Sequence, residues 1–374
     1  MRFLAFLALF CFSVLAQAQT LPQAPTIAAK SWLLLDYSTG QALASYNPDD
    51  RVEPASLTKL MTAYVVLGAL KEGKLTPTQA VPVSERAWKT PGSRMFIEPK
   101  KPVTVDELLR GMIVQSGNDA CIALAEAVAG SEEAFAQMMN REAQRLGLKA
   151  TRFANATGLS DPQHYSTARD LGALAAALIR DFPEHYPLYA LREYTYNRIT
   201  QANRNRLLWL DPAVDGVKTG HTENAGYCLV ASAKRGPRRL LSVVMGAASD
   251  GMRTQESQKL LNFGFQFFDS VKLYGKDQEV SRLRVWKGAQ NTVRAGFLED
   301  FTLSLPKGMA ENLKASLVSQ QPLMAPVLKG QRIATLKLSL DDRPYGEYPV
   351  VALETVPVAG MIGRAWDAMR LWFE

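Results

Sequence analysis

The chain has 374 residues, 43 Lys and Arg against 36 Asp and Glu, a formal net charge of +7 and 47% apolar residues, which is ordinary for a soluble globular protein with room for two or three domains. Three cysteines are too few for a disulfide framework. The basic excess favours anionic partners in general, but Lys and Arg form only short clusters such as Lys234-Arg235 and Arg238-Arg239. With no nucleic-acid motif among them, a solvated basic surface is the plainer reading and no nucleic-acid partner is expected.

The N-terminus has the pattern of a secretory signal peptide over residues 1–18. Arg2 supplies a positive n-region, Phe3 to Leu15 is an apolar stretch short for a membrane span, and Ala16-Gln17-Ala18 is an A-x-A cleavage site. The alternative is an uncleaved anchor. Cys11 leaves with the signal, and Cys121 and Cys228 remain, read as two buried free thiols although one bridge between them is open. His164, His185 and His221 stand far apart without metal-ligand spacing, so no metal is expected.

Ser31 to Asp36 and Gln41 to Tyr46 read as strands joined by the turn Ser38-Thr39-Gly40. Pro54 opens a helix whose apolar positions Leu57, Leu60, Met61, Tyr64 and Val65 keep helical spacing and which ends near Gly73. Ser56 therefore lies in a first turn, where free N–H groups and the positive dipole end favour a developing oxyanion. Residues 104–147 read as helices: Thr104 and Glu107 have capping-box spacing, and the apolar run stops at Gln115-Ser116-Gly117. Further helices run from Asn118 to Gly130 and from Ser131 to Gly147, and another covers 167–182. Beyond Asp215 the pattern turns to strands at Val217 to Thr219, Gly226 to Lys234 and Arg239 to Met245, the last two joined by Arg235-Gly236-Pro237. A helix over 254–269 follows. From Val271 to Glu354 the runs Glu279 to Trp286, Phe301 to Leu305, Leu313 to Val318 and Arg332 to Leu340 alternate as in a small β-sandwich or barrel.

The last twenty residues carry Met361, Ile362, Ala365, Trp366, Met369, Trp372 and Phe373 at i, i+3, i+4 spacing, with Arg364, Asp367 and Arg370 on the other side. This pattern resembles an interfacial helix lying on a membrane surface, the alternative being a terminal helix packed on its own domain. The expected domains are 19–270, a helix-and-sheet unit; 271–355, an all-β unit; and 356–374, the amphipathic helix.

Three motifs carry chemistry. Ser56-Leu57-Thr58-Lys59 puts a hydroxyl and an amine on one helix face, where the amine can deprotonate the hydroxyl. Ser116-Gly117-Asn118 adds a hydroxyl and an amide on an interhelical loop, and Lys218-Thr219-Gly220 adds a cation beside a glycine on a strand. Singly each is a weak signal. Their order and their helix, loop and strand contexts describe a serine acyl-transfer site with lysine as its base and no cofactor.

On these motifs, with Ser116 to Cys121, Tyr165 to Asp170, Asn203-Arg204-Asn205 and Asp215 to Thr222, the mature chain resembles the low-molecular-mass penicillin-binding proteins. These are the serine D-Ala-D-Ala carboxypeptidases of the S11 peptidase kind. The resemblance implies an α+β fold with a β-lactamase/transpeptidase-like catalytic domain, followed by a small all-β domain and a C-terminal amphipathic helix. It implies a peptidoglycan pentapeptide as substrate, β-lactams as acylating inhibitors, and a peripheral place on the periplasmic face of the cytoplasmic membrane, with a role in cell shape. It gives the all-β domain no identified partner.

The resemblance also implies roles. Ser56 attacks the penultimate D-alanine carbonyl, Lys59 takes the proton, Ser116 relays one to the leaving amine, and Asn118 bonds the substrate backbone. The N–H groups of Ser56 and His221 form the oxyanion hole, and Gly220 allows close approach. Lys218, Thr219 and Arg253 hold the terminal carboxylate, and Arg204 belongs to the substrate-binding set; for Arg253 and Arg204 a surface salt bridge is the alternative. A β-lactamase is disfavoured by Gly117 in the middle motif and by the lack of a Glu-x-x-Leu-Asn stretch between Asn118 and Lys218. A DD-endopeptidase of the same fold stays open, and a non-catalytic wall-binding scaffold would show a broken motif. The loop Trp88 to Met95 is shorter than in some members, which bears on the deacylation rate.

Overall fold

The computed structural model describes residues 22–361 and Asp367. The expected signal peptide, and all of the C-terminal stripe but Met361, lie outside the described residues.

In chain order the strands β1 (Ser31–Asp36) and β2 (Ala42–Tyr46) lead to a single 3-10 turn, Ala55–Thr58, which runs into α1 (Lys59–Lys71). Then come β3 (Ala80–Val81), α2 (Glu85–Lys89), β4 (Val103–Thr104), α3 (Val105–Val114), α4 (Asn118–Ala129), α5 (Glu132–Arg145) and α6 (Ala168–Asp181). The hairpin β5 (Glu193–Tyr196) and β6 (Ile199–Ala202) precedes α7 (Leu207–Leu210), β7 (Val214–Thr222), β8 (Gly226–Arg235), β9 (Arg238–Ala247) and α8 (Asp250–Phe267). The elements described after α8 are the strands β10 (Phe268–Tyr274), β11 (Glu279–Arg284), β12 (Thr292–Gly296), β13 (Phe301–Pro306), β14 (Leu313–Ser319), β15 (Arg332–Leu340) and β16 (Arg343–Ala352), with a 3-10 turn at Ala310–Asn312.

The catalytic unit is built on an antiparallel sheet of order β2-β1-β9-β8-β7. Successive residues of a strand point to opposite faces, and both faces here are covered. Leu33, Val230 and Val243 join the core shared with α1, α3, α4 and α6, whereas Leu34, Leu229 and Val244 join Leu260 and Leu261 of α8. That is why β8 and β9 read as continuous apolar runs. All of α1 except Gly68, Leu70 and Lys71 is buried, so this helix is apolar all round and sits at the centre of the unit. The capping box opens α3, with the Thr104 hydroxyl accepting from the Glu107 N–H and the Glu107 carboxylate accepting from the Thr104 N–H.

The strand β10 leaves α8 at Phe268 and pairs with β13; the second sheet has the order β11-β12-β16-β15-β14 around Leu283, Val293, Leu336 and Val350. The all-β unit thus starts three residues before the expected Val271. It also runs past Glu354, because Val356 bridges Val327 and Val358 bridges Gly288, so the helix expected from residue 356 does not begin there. The start of α8 likewise precedes the expected 254, since Ser249 caps it by accepting from the Met252 N–H. The two units are tied at the β1–β2 end, where Gln41 Oε1 accepts from the Ser304 N–H at 2.7 Å, and by Arg238, which donates to Asp36 and to the carbonyls of Gly264 and Phe268.

Candidate active site

The 3-10 turn places Ser56 and Lys59 one above the other, since residues i and i+3 eclipse in that geometry. Lys59 is 1% exposed and its Nζ spends all three protons locally: on Ser56 Oγ at 2.9 Å, Asn118 Oδ1 at 2.7 Å and the Thr157 carbonyl at 2.6 Å. Burial, the largest cause, lowers the Lys59 pKa from its ordinary 10.5; nearby Cys121 opposes this and the positive charge of Arg204 adds to it.

Two glycines make the close packing possible. A Cβ on Gly158, whose φ is +83, would lie 1.8 Å from the Ala55 carbonyl oxygen, and one on Gly220 would lie 3.0 Å from the Pro54 oxygen. The strand β7 and the segment 157–159 are therefore pressed against the turn that carries Ser56.

Ser116 sits at φ 68, a conformation costly for a non-glycine residue, and its buried Oγ has no hydrogen-bond partner among the described residues. Gly117 and Asn118 follow directly into α4. The Asn118 side chain is held at both ends: Oδ1 accepts from Lys59 and Nδ2 donates one proton to the Pro91 carbonyl at 2.7 Å, while its backbone N–H donates to Ser93 O at 2.6 Å. These bonds lash the loop 91–97 to the middle motif.

Lys218, Thr219, Gly220 and His221 lie on β7, the edge of the sheet on the side of Ser56. One side of β7 pairs with β8, with Gly220 opposite Cys228 and His221 opposite Tyr227, so its outer backbone groups are free to pair with an extended ligand. The Lys218 Nζ is buried and donates to the Thr219 carbonyl at 3.0 Å. Burial pushes its pKa well below the ordinary lysine value, and the positive charges of Lys59 and Arg204 push the same way.

A cavity of about 640 Å3 opens over this group and is lined by Ser56, Ser116, Asn118, Thr219, Gly220, His221, Arg204 and Arg253. Lys59 and Lys218 lie beneath its wall. All ten residues singled out from sequence are thus brought to one place. Arg253 is not on the surface: it is 5% exposed, donates to Gly220 O at 3.0 Å and pairs with Asp250. Arg204 is exposed and has no ion pair or hydrogen bond among the described residues.

Sequence reasoning missed several participants. Thr157 supplies the third acceptor for Lys59 from 98 residues away. His164 accepts from the Ala154 N–H at Nδ1, so its proton is on Nε2, which meets Thr58 Oγ1 at 2.7 Å. Asp119 accepts from the N–H groups of Met95, Phe96, Ile97 and Ala120. Only the hairpin β5–β6 had a readable signal: Tyr194 to Tyr196 alternate, and Asn197-Arg198 takes positive φ at both turn positions. Cys121 and Cys228 are buried free thiols, raised by burial to about 12 and about 11.

A lysine-paired serine beneath a cleft with an edge strand on one wall, in a helix-and-sheet unit, defines the class of serine acyl-transfer enzymes. The comparisons are specific. The family model for D-alanyl-D-alanine carboxypeptidase, peptidase S11, matches residues 18–249, and that for the penicillin-binding protein 5 C-terminal domain matches 268–358. The chain is 46% identical to the D-alanyl-D-alanine carboxypeptidase DacC of Escherichia coli over 99% of its own length and 94% of that protein. It is similar to a crystal structure of penicillin binding protein 5 from Haemophilus influenzae, with TM-score 0.85, 43% identity, and 90% and 99% of the two chains covered. Penicillin-binding protein D2 from Listeria monocytogenes, in an ampicillin-bound form, matches with TM-score 0.58 and 30% identity over 65% of this chain and 100% of that one. The chain belongs to the D-alanyl-D-alanine carboxypeptidase family. It is a serine-type D-Ala-D-Ala carboxypeptidase of the penicillin-binding protein 5 kind.

Proposed function

We propose that Ser56 is the nucleophile and Lys59 its base in the removal of the terminal D-alanine from peptidoglycan pentapeptide stems. The observation that carries this is the 2.9 Å contact between Lys59 Nζ and Ser56 Oγ, in a lysine whose burial favours the neutral amine. Once neutral, the amine accepts the Oγ proton along the same line. Oγ attacks the penultimate carbonyl, and the oxyanion is held by the N–H groups of Ser56 and His221. Collapse breaks the peptide bond and the leaving D-alanine amine takes a proton through Ser116, whose orphan hydroxyl lines the cleft. Water then hydrolyses the acyl-enzyme.

The substrate runs along the free edge of β7 beside Asn118, and its terminal carboxylate is held by Lys218, Thr219, Arg253 and the solvent-facing Arg204. With a β-lactam the leaving amine stays tethered, so the acyl-enzyme persists. Intact-protein mass spectrometry tests the assignment. Penicillin adds one adduct to the wild type, and Ser56→Ala loses both the adduct and D-alanine release, by about 10³-fold or more. An adduct on Ser56→Ala refutes it.

We also propose that the chain is exported through its signal peptide and works on the outer face of the cytoplasmic membrane, held by the stripe Met361 to Phe373. Among the described residues no helix is long and apolar enough to cross a membrane. Wall remodelling at that surface gives it a part in cell shape. Truncation before Met361 moves the protein to the soluble periplasmic fraction while cleavage of small soluble peptides persists; a truncated protein that stays in the pellet refutes the anchor.

A further inference from the structure

Asp250, the first residue of α8, is shared by two arginines. Its Oδ1 meets Arg253 Nη2 at 2.5 Å and its Oδ2 meets Arg206 Nε at 2.6 Å. All three residues line the cleft. The two arginines differ in setting: the Arg253 side chain is 6% exposed and that of Arg206 65%. The rest of the Arg253 guanidinium is committed or enclosed, with Nη1 on Gly220 O at 3.0 Å and Nε buried without a partner. A substrate carboxylate that approaches Arg253 therefore meets a guanidinium already paired, and a negative charge beside it.

We propose that Asp250 is a resident carboxylate that competes with the substrate: it occupies Arg253 in the free enzyme, yields to the terminal carboxylate while keeping its contact with Arg206, and reclaims Arg253 as D-alanine leaves. This rests on the reading of Arg253 given above. A bidentate grip needs two adjacent N–H donors on one guanidinium; Nη1 faces the Gly220 and Cys228 carbonyls, and Asp250 takes one of the two Nη2 protons and sets a negative charge at that edge, so the substrate carboxylate gains the edge in full when Asp250 yields. Arg206 makes that exchange possible, because a carboxylate stripped of every partner in a half-enclosed cleft carries a heavy penalty. No covalent bond changes; one ion pair replaces another. The released D-alanine bears the same carboxylate, so the return of Asp250 opposes product retention. A buried arginine is thereby kept paired at every stage.

The test uses the full chain, a peptide ending in D-Ala-D-Ala as the free acid, the same peptide as its C-terminal amide, and D-alanine as inhibitor. Asp250→Asn removes the competing charge and is expected to lower KM for the acid, and the inhibition constant of D-alanine, by about 3- to 10-fold. KM for the amide stays unchanged. Arg206→Gln removes the second partner and is expected to raise KM for the acid about threefold, on the same electrostatic scale. A rise in KM for the acid in Asp250→Asn, or unchanged D-alanine inhibition, overturns the proposal and makes Asp250 a prop for Arg253. If Asp250→Asn does not fold, an unchanged KM in Arg206→Gln overturns it instead. Equal cleavage of acid and amide by the wild type marks the separate failure of the Arg253 reading.

Discussion

Replacing Asp119 tests how the loop over the middle motif is held. The side chain is fully buried and accepts four backbone N–H groups: Met95 and Ala120 at Oδ1, both at 2.9 Å, and Phe96 and Ile97 at Oδ2, at 2.8 and 3.3 Å. Met95, Ile97 and Ala120 are themselves buried, so their N–H groups have no recourse to bulk water. Each buried donor left unpaired costs about 1–3 kcal/mol, and with some relaxation of the loop Asp119→Ala is expected to lose roughly 3–6 kcal/mol. Asp119→Asn keeps one acceptor oxygen and turns an NH2 group onto N–H donors, so its loss is expected at about half that. Urea unfolding measures the loss, and the rate of penicillin acylation reports the loop's hold on Asn118, because Pro91 and Ser93 in that loop bond Asn118 directly. Both variants acylate more slowly. A loss below about 1 kcal/mol in Asp119→Ala, or Asp119→Asn equal to wild type, refutes the accounting.

Two further predictions concern protons. The acylation rate rises with pH as Lys59 loses its proton, with a midpoint below the ordinary lysine value of 10.5 because burial disfavours the ammonium. Lys59→Arg, which stays protonated, loses about 10²–10⁴-fold, and a wild-type midpoint at or above 10.5 contradicts the assignment. His164 is lowered from 6.5 to about 4, first by burial, so its neutral form belongs to the folded state. The unfolded chain then binds more protons between those values. Stability is full above 6.5 and falls as pH drops toward 4, by about 3 kcal/mol in all. Unfolding curves at several pH values check this, with His164→Gln expected to flatten the slope; equal slopes refute it.

Local spacing determined much of this protein. Ser56 and Lys59 are three residues apart, and any helical turn brings them together; the Thr104–Glu107 box and the runs of β8 and β9 are equally local. The strand β16 escaped because Pro344, Gly346 and Pro349 interrupt its alternation, although it pairs with β15 along nearly its whole length. What the tertiary structure decided is which groups complete the site. Asn118 and Thr157 reach Lys59 across 59 and 98 residues of chain, and Asp119 holds a loop more than twenty residues away. For Arg253 the sequence leaves a surface salt bridge open beside a role at the terminal carboxylate; the packing of α8 on β8 and β9 buries it and pairs it with Asp250. Periodicity records which face of an element is buried, because that is a property of neighbouring residues. The partners of a polar group are set by where distant elements cross, and no local pattern carries that information.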